Sequence, residues 1–220
     1  LMLCLFAAFP AAAQENDADF FIDQLIRTVP PLLEANEIPG AALALIHDGE
    51  LVWSQGYGAA DVESGTLVTP DTPFSVASIS KALTAWEIMR HVEAAALDLD
   101  APINTLLTGW QVPALGRNNP DEVTIRRILS HTAGLSVDGY RAFEPDQPLP
   151  ALVDFLEGES ATPVNVMITP GRRFMYSGGG YTVLQLLLEE WAGEPFADYM
   201  QRAVLDPLGM ENSSFAWSPE

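Results

Sequence analysis

Lysine occurs once among 220 residues, at position 81, and cysteine once, at position 4. The other nine basic side chains are arginine, set against thirty carboxylates, so the formal net charge is −20. This shortage of positive charge excludes nucleic acid and anionic membrane surfaces as partners, because both are held by clusters of lysine and arginine. The carboxylates are scattered rather than blocked, which reads as a solvated surface. A lone cysteine excludes an internal disulfide and a thiolate-built metal site. His47, His91 and His131 have no metal-ligand spacing. No cofactor or metal is expected.

Long apolar runs are also missing. The opening run, Leu1 to Ala13, ends abruptly at Gln14, and a bilayer span needs about 20 residues. No stable membrane span is expected. The run suits a secretory signal, with Ala11 and Ala13 at the −3 and −1 positions of a small-residue cleavage site. Lipid attachment at Cys4 is the lesser reading, since bulky Leu-Met-Leu precedes it where small residues are wanted. The expected division is a partial signal peptide over 1–13 and a single domain over 14–220, exported to the periplasm or secreted. Leucine at position 1, with no basic segment before the run, gives the expectation that the gene product begins further upstream.

Beyond the leader, "ADFFIDQLIRTVPPLLEANEIPG" has apolar residues at helical spacing and a stop at Pro39-Gly40. "AALALIHDGELVWSQGYG" is two apolar runs joined by Asp48-Gly49, a strong hairpin signal. "ADVESGTLVTPDTP" reads as a connection. From Ser78 to about Ala96 the pattern is helical, and Ile79, Leu83, Trp86, Met89 and Val92 form one stripe expected to be buried. Further helices are expected over "TIRRILSHTAGL", starting at Thr124, and over "YTVLQLLLEEWAG", stopped at Gly193. A lone hairpin is marginal and wants further strands. None is evident downstream, so C-terminal strands are expected to be missing.

The single lysine follows Ser78 by three residues, and residues three apart in a helix share a face. A serine hydroxyl is a poor nucleophile until an adjacent base takes its proton. Arginine cannot be that base, whereas lysine can once its pKa falls by roughly three units from about 10.4. Free N–H groups at the helix start would help to hold an oxyanion. A compositional preference for arginine explains the count equally well, and S-x-x-K is a weak signal alone. In "PGRRFMYSGGGYTVLQ", Tyr176 precedes three glycines and a helix. Glycines there let backbone approach a ligand, and a phenol at such a lip shuttles protons if a cation stabilises its anion. A packed aromatic before a helix is the competing reading.

"SVASISK", "ILSHTAGL", "YSGGGY" and "DPLGMENSSF", in that order, resemble the serine beta-lactamase and penicillin-binding protein superfamily, in its class C beta-lactamase-like branch. The resemblance runs from about Ile38 to Phe215. It implies a mixed α/β fold: an antiparallel sheet flanked by helices, an all-helical subdomain, and a site between them. It also implies Ser78 as the acylated nucleophile, Lys81 as its proton partner and Tyr176 as base or water activator. Which of Lys81 and Tyr176 takes the serine proton stays open. Ser177 and Gly178 fall at substrate-binding positions, although the family's tyrosine element has asparagine where Gly178 stands. A Lys/His-x-Gly strand element does not follow Tyr176 in the sequence and is expected beyond residue 220. Without it the site has half an oxyanion hole, at a cost of about two to three orders of magnitude in rate.

The implied activity is an exported serine hydrolase forming an acyl-enzyme on an amide or ester, as a D,D-peptidase, esterase or beta-lactamase-like enzyme. The alternative is a non-catalytic or single-turnover module that binds penicillin or cell-wall peptide. The expected partner is a small-molecule or peptide substrate, and the oligomeric state is not legible. His131 is expected to be a structural hydrogen-bonder near the site.

Overall fold

The computed structural model describes residues 11–141, 143, 147, 149–159 and 162–216. Most of the expected signal segment, residues 1–10, lies outside the described residues. The chain divides into two compact units, Leu1–Phe74 and Ser75–Glu220.

In the first unit, helix α1 (Ala11–Ala35) packs on a hairpin of β1 (Gly40–His47) and β2 (Glu50–Asp61). The helix stops short of the expected Pro39-Gly40. Asn36 folds its side-chain amide onto the Leu32 carbonyl at 2.8 Å, and Glu37 follows with φ +54°. The strands are antiparallel from Gly40 opposite Gly58 to His47 opposite Glu50. Asp48 and Gly49 make the turn with φ of +50° and +82°, the positive values that a tight two-residue hairpin turn requires. The segment read as a connection contains a third strand, β3 (Thr66–Leu67), antiparallel to the end of β2. Two residues are too few for a period-2 pattern to show, so sequence alone missed it.

The second unit is helical. A 3-10 turn (Ala77–Ile79) leads into α2 (Ser80–Glu93). Then come α3 (Ile125–Leu129), α4 (Leu152–Glu157), α5 (Gly178–Ala192) and α6 (Phe196–Met200), and a π-helical turn over Gln201–Leu205. Thr124 starts α3 as expected, its hydroxyl accepting the Arg127 N–H, but the helix ends at Leu129 instead of running on through "SHTAGL", because the chain turns at His131 with φ +54°; α5 ends before Gly193, as expected. Ile88, Ile103, Ile125, Ile128, Leu184, Leu188 and Met200 form a core fully removed from water. An antiparallel sheet with helices and a separate helical part is the mixed α/β class expected.

One expectation fails. Ile79, Trp86 and Met89 of the supposed buried stripe are exposed, while Thr84, Glu87 and Ile88 are buried. Leu83 and Val92 only flank the core. The buried face is turned because Glu87, 2% exposed, has acquired partners. Arg90 donates to its carboxylate at 2.8 Å, the Tyr199 hydroxyl donates to it from α6, and His91 Nε2 lies 3.2 Å away. Arg90 also donates to the Ala203 carbonyl in the π-turn at 2.6 Å. Burial, then the hydrogen bond to Glu87 and its charge, push the Tyr199 phenol well above its ordinary range. A buried carboxylate is tolerated only when so compensated, and this one fastens α2 to the C-terminal turns.

Glu87→Ala removes the buried carboxylate on which Arg90, Tyr199 and His91 converge and is expected to cost about 3–5 kcal/mol of stability, read from urea unfolding of the chain. Tyr199→Phe, which leaves Arg90 and His91 on the carboxylate, costs about 1–3 kcal/mol. Losses within about 0.5 kcal/mol for both variants would show that the cluster fastens nothing.

Candidate active site

Ser78 sits in the middle of the 3-10 turn, one residue after Ala77, whose φ of +45° is unusual for a side chain with a Cβ. The turn is closed by the Ile79 N–H donating to the Val76 carbonyl at 3.0 Å. Three residues on, in the first turn of α2, the Lys81 ammonium donates to Ser78 Oγ at 3.0 Å. The spacing of three therefore gives the contact expected from sequence.

Tyr176 reaches the same oxygen from 98 residues away, its hydroxyl donating to Ser78 Oγ at 3.0 Å. Lys81 Nζ stands 5.3 Å from the centre of the Tyr176 ring and 5.7 Å from that of Tyr181, so the cation sits between two aromatic faces. The hydrogen bond with Ser78 first, then that with Lys81 and its charge, hold the Tyr176 phenol below its ordinary value of 10. Tyr181 and Tyr140 are pushed the other way by burial. Serine, lysine and tyrosine all belong to the second unit.

His131 positions the phenol. Its ring lies 4.3 Å from that of Tyr176, its carbonyl accepts the Met175 N–H at 2.7 Å, and its Nδ1 accepts the Ser177 N–H at 3.1 Å. An accepting Nδ1 places the proton of the neutral ring on Nε2. Burial, and secondarily the charge of Lys81, push the imidazole below its ordinary 6.5. The expected structural hydrogen-bonder near the site is thus found, on a backbone with φ +54°.

The two residues assigned to substrate binding are both buried. Ser177 is 4% exposed. Its hydroxyl donates to the Ser136 carbonyl at 2.7 Å and accepts the Gly180 N–H at 2.9 Å, as the N-cap of α5. Serine directly before a helical pattern is an N-cap signal that sequence reading had in hand. Gly178 is buried as well, and a Cβ there would lie 3.0 Å from the Asp138 carbonyl oxygen. Its hydrogen atom answers to packing against residues 138 and 139. Among the described residues, no three His, Cys, Asp or Glu side chains gather as a metal site, and no helix is long and apolar enough to cross a membrane.

A family model described as Beta-lactamase matches residues 25–220. Protein flp of Staphylococcus aureus (strain N315) is 26% identical over 200 residues, which are 91% of this chain and 39% of that protein. Esterase EstB of Burkholderia gladioli is 28% identical over 227 residues, or 95% of this chain and 55% of its own length. The chain therefore spans about two-fifths to a little over half of these relatives. The octameric penicillin-binding protein homologue from Pyrococcus abyssi superposes with a TM-score of 0.70 at 27% identity, covering 86% of this chain and 43% of that one. Class C beta-lactamases share the fold.

Of the five tyrosines, Tyr176 is expected to ionise first, in a spectrophotometric titration of phenolate. The early component should vanish in Tyr176→Phe and move up toward about 10 in Ser78→Ala and Lys81→Met. An unmoved midpoint in both would mean that neither neighbour sets it. For His131 the depressed pKa fixes the sign. Its contribution to stability is complete above 6.5 and is lost as pH falls below that value toward the lower folded pKa. His131→Asn keeps an acceptor for Ser177, tolerates positive φ and does not titrate. Its urea midpoint should fall less than that of the wild type below pH 6.5.

Proposed function

This chain belongs to the beta-lactamase family, and on that premise we propose that it is a serine hydrolase forming an acyl-enzyme at Ser78. The observation that carries the reading is the placing of Lys81 Nζ and the Tyr176 hydroxyl each 3.0 Å from Ser78 Oγ. With its pKa lowered, Tyr176 as phenolate accepts the Ser78 proton while Oγ bonds to the substrate carbonyl carbon, whose oxygen becomes the oxyanion. Collapse breaks the bond to the alcohol or amine, which takes the proton back from Tyr176. A water then repeats the sequence: its proton goes to Tyr176, its oxygen attacks the acyl carbon, and Ser78 leaves and is reprotonated. Lys81 stays beside both oxygens as the cation that favours the phenolate. On this reading tyrosine, rather than lysine, is the acylation base.

Esters suit the site better than beta-lactams. Glycine at 178 offers no side-chain amide to an acylamino substrate, and a named esterase is among the relatives. Export, inferred from the opening apolar segment, is part of the proposal. A second reading, a module that acylates once without turnover, is favoured by the same glycine.

A fluorophosphonate probe is expected to label the wild type at Ser78, located by peptide mass spectrometry, and to leave Ser78→Ala unlabelled. Equal labelling of the two would sink the assignment. Tyr176→Phe should slow labelling by about two to four orders of magnitude, the usual worth of a general base. Steady release of chromophore from a 4-nitrophenyl ester distinguishes an enzyme from a single-turnover module, which gives a burst alone.

A further inference from the structure

The chain has thirty carboxylates, yet among the described residues no ion pair ties Lys81 to one of them. Its ammonium meets the Ser78 hydroxyl at 3.0 Å and the rings of Tyr176 and Tyr181, centred 5.3 and 5.7 Å from Nζ. A carboxylate in contact would cancel most of the ammonium's field at the Tyr176 phenol. A ring face attracts a cation through its quadrupole and carries no net charge, so the field survives. One hydrogen bond to Ser78 does not fix an ammonium on a flexible stem. The rings supply the rest.

Tyr181 is itself held from several sides. Its backbone lies in the first turn of α5, where the Gly180 N–H donates to Ser177 Oγ at 2.9 Å. Its hydroxyl donates at 3.3 Å to the carbonyl of Leu129, the last residue of α3. Carbonyls at a helix end have no donor within the helix, so this one is free to accept. The His131 ring lies beside the Tyr181 ring, centres 5.4 Å apart and planes tilted by 39°. Burial, then the charge of Tyr176, push the Tyr181 phenol above its ordinary 10. Its hydroxyl therefore keeps its proton, and its bond to Leu129, when Tyr176 ionises.

We propose that Tyr181 is a positioning residue for Lys81: its anchored ring face, together with that of Tyr176, holds the ammonium at Ser78 Oγ. The consequence for rate rests on the acyl-enzyme reading above. The contact itself does not. The competing role for Tyr181 is plain packing, since it also borders the apolar core.

The test varies the face and spares the shape. The conservative Tyr181→Phe keeps the face and loses the bond to Leu129, whereas Tyr181→Leu removes the face. The phenolate midpoint of Tyr176 should rise toward about 10 in Tyr181→Leu and be rescued in Tyr181→Phe. With 4-nitrophenyl hexanoate, kcat should fall between about 2-fold and 30-fold in Tyr181→Leu with KM little changed, the range expected of a cation–π contact. Phenylalanine carrying one, two or three ring fluorines at 181 weakens the face stepwise at nearly constant size. The midpoint should climb with each fluorine. This series decides the matter even if Tyr181→Leu does not fold. A midpoint flat across the series, or Tyr181→Phe as displaced as Tyr181→Leu, overturns the proposal.

Because lysine occurs once, selective 13Cε-lysine labelling gives a single Hε–Cε correlation that reports Lys81 without catalysis. Ring currents should displace it from the position of a free lysine. It should move back toward that position in Tyr181→Leu and hold in Tyr181→Phe. An identical signal in all three proteins overturns the proposal, while fluorophosphonate labelling at Ser78 judges the hydrolase reading separately.

Discussion

One oxygen atom organises the second unit. Ser78 Oγ accepts hydrogen bonds from Lys81 and from Tyr176, at equal distances, from groups that reach it by different routes. The lysine is placed by helical geometry alone, because any residue three positions on lies over the same face. The phenol has no such guarantee. It is positioned by the 131–138 segment, which grips residues 175 and 177–179 on either side through the His131 carbonyl, the His131 ring and the carbonyls of Ser136, Val137 and Asp138. The His131 ring, tilted by 33° with its centre 4.3 Å from that of the phenol, completes the seat.

Neutrality of that ring is part of the design. An imidazolium would turn the accepting Nδ1 into a donor facing the Ser177 N–H, and would set a second cation near Lys81. Burial and Lys81 both disfavour the charge. Lys81 thus contributes to both shifts, second to burial at His131 and second to the Ser78 hydrogen bond at Tyr176.

How far the sequence could be read follows from the range of each interaction. The hairpin turn, the cap at Thr124, the stop at Gly193 and the Ser78–Lys81 contact are local and were legible from spacing and residue type. Tyr176 was not legible from spacing, since 98 residues intervene; only the resemblance paired it with Ser78. Burial on α2 was misread because periodicity counts apolar residues and is blind to a carboxylate that finds Tyr199, 112 residues on, as a donor. Ser177 was assigned by carrying over a family position, and its chemistry as the buried N-cap of α5 was legible from the serine directly before the helical pattern.

Gly178 shows what that carry-over hides. In the resembled family a side-chain amide at this position meets the substrate, and here the backbone itself is pressed against residues 138 and 139, with the Gly178 N–H donating to the Asp138 carbonyl at 3.2 Å. A side chain would push on that loop, and the loop shares the carbonyls that seat Ser177. Restoring the amide would thus disturb the segment that aims the phenol.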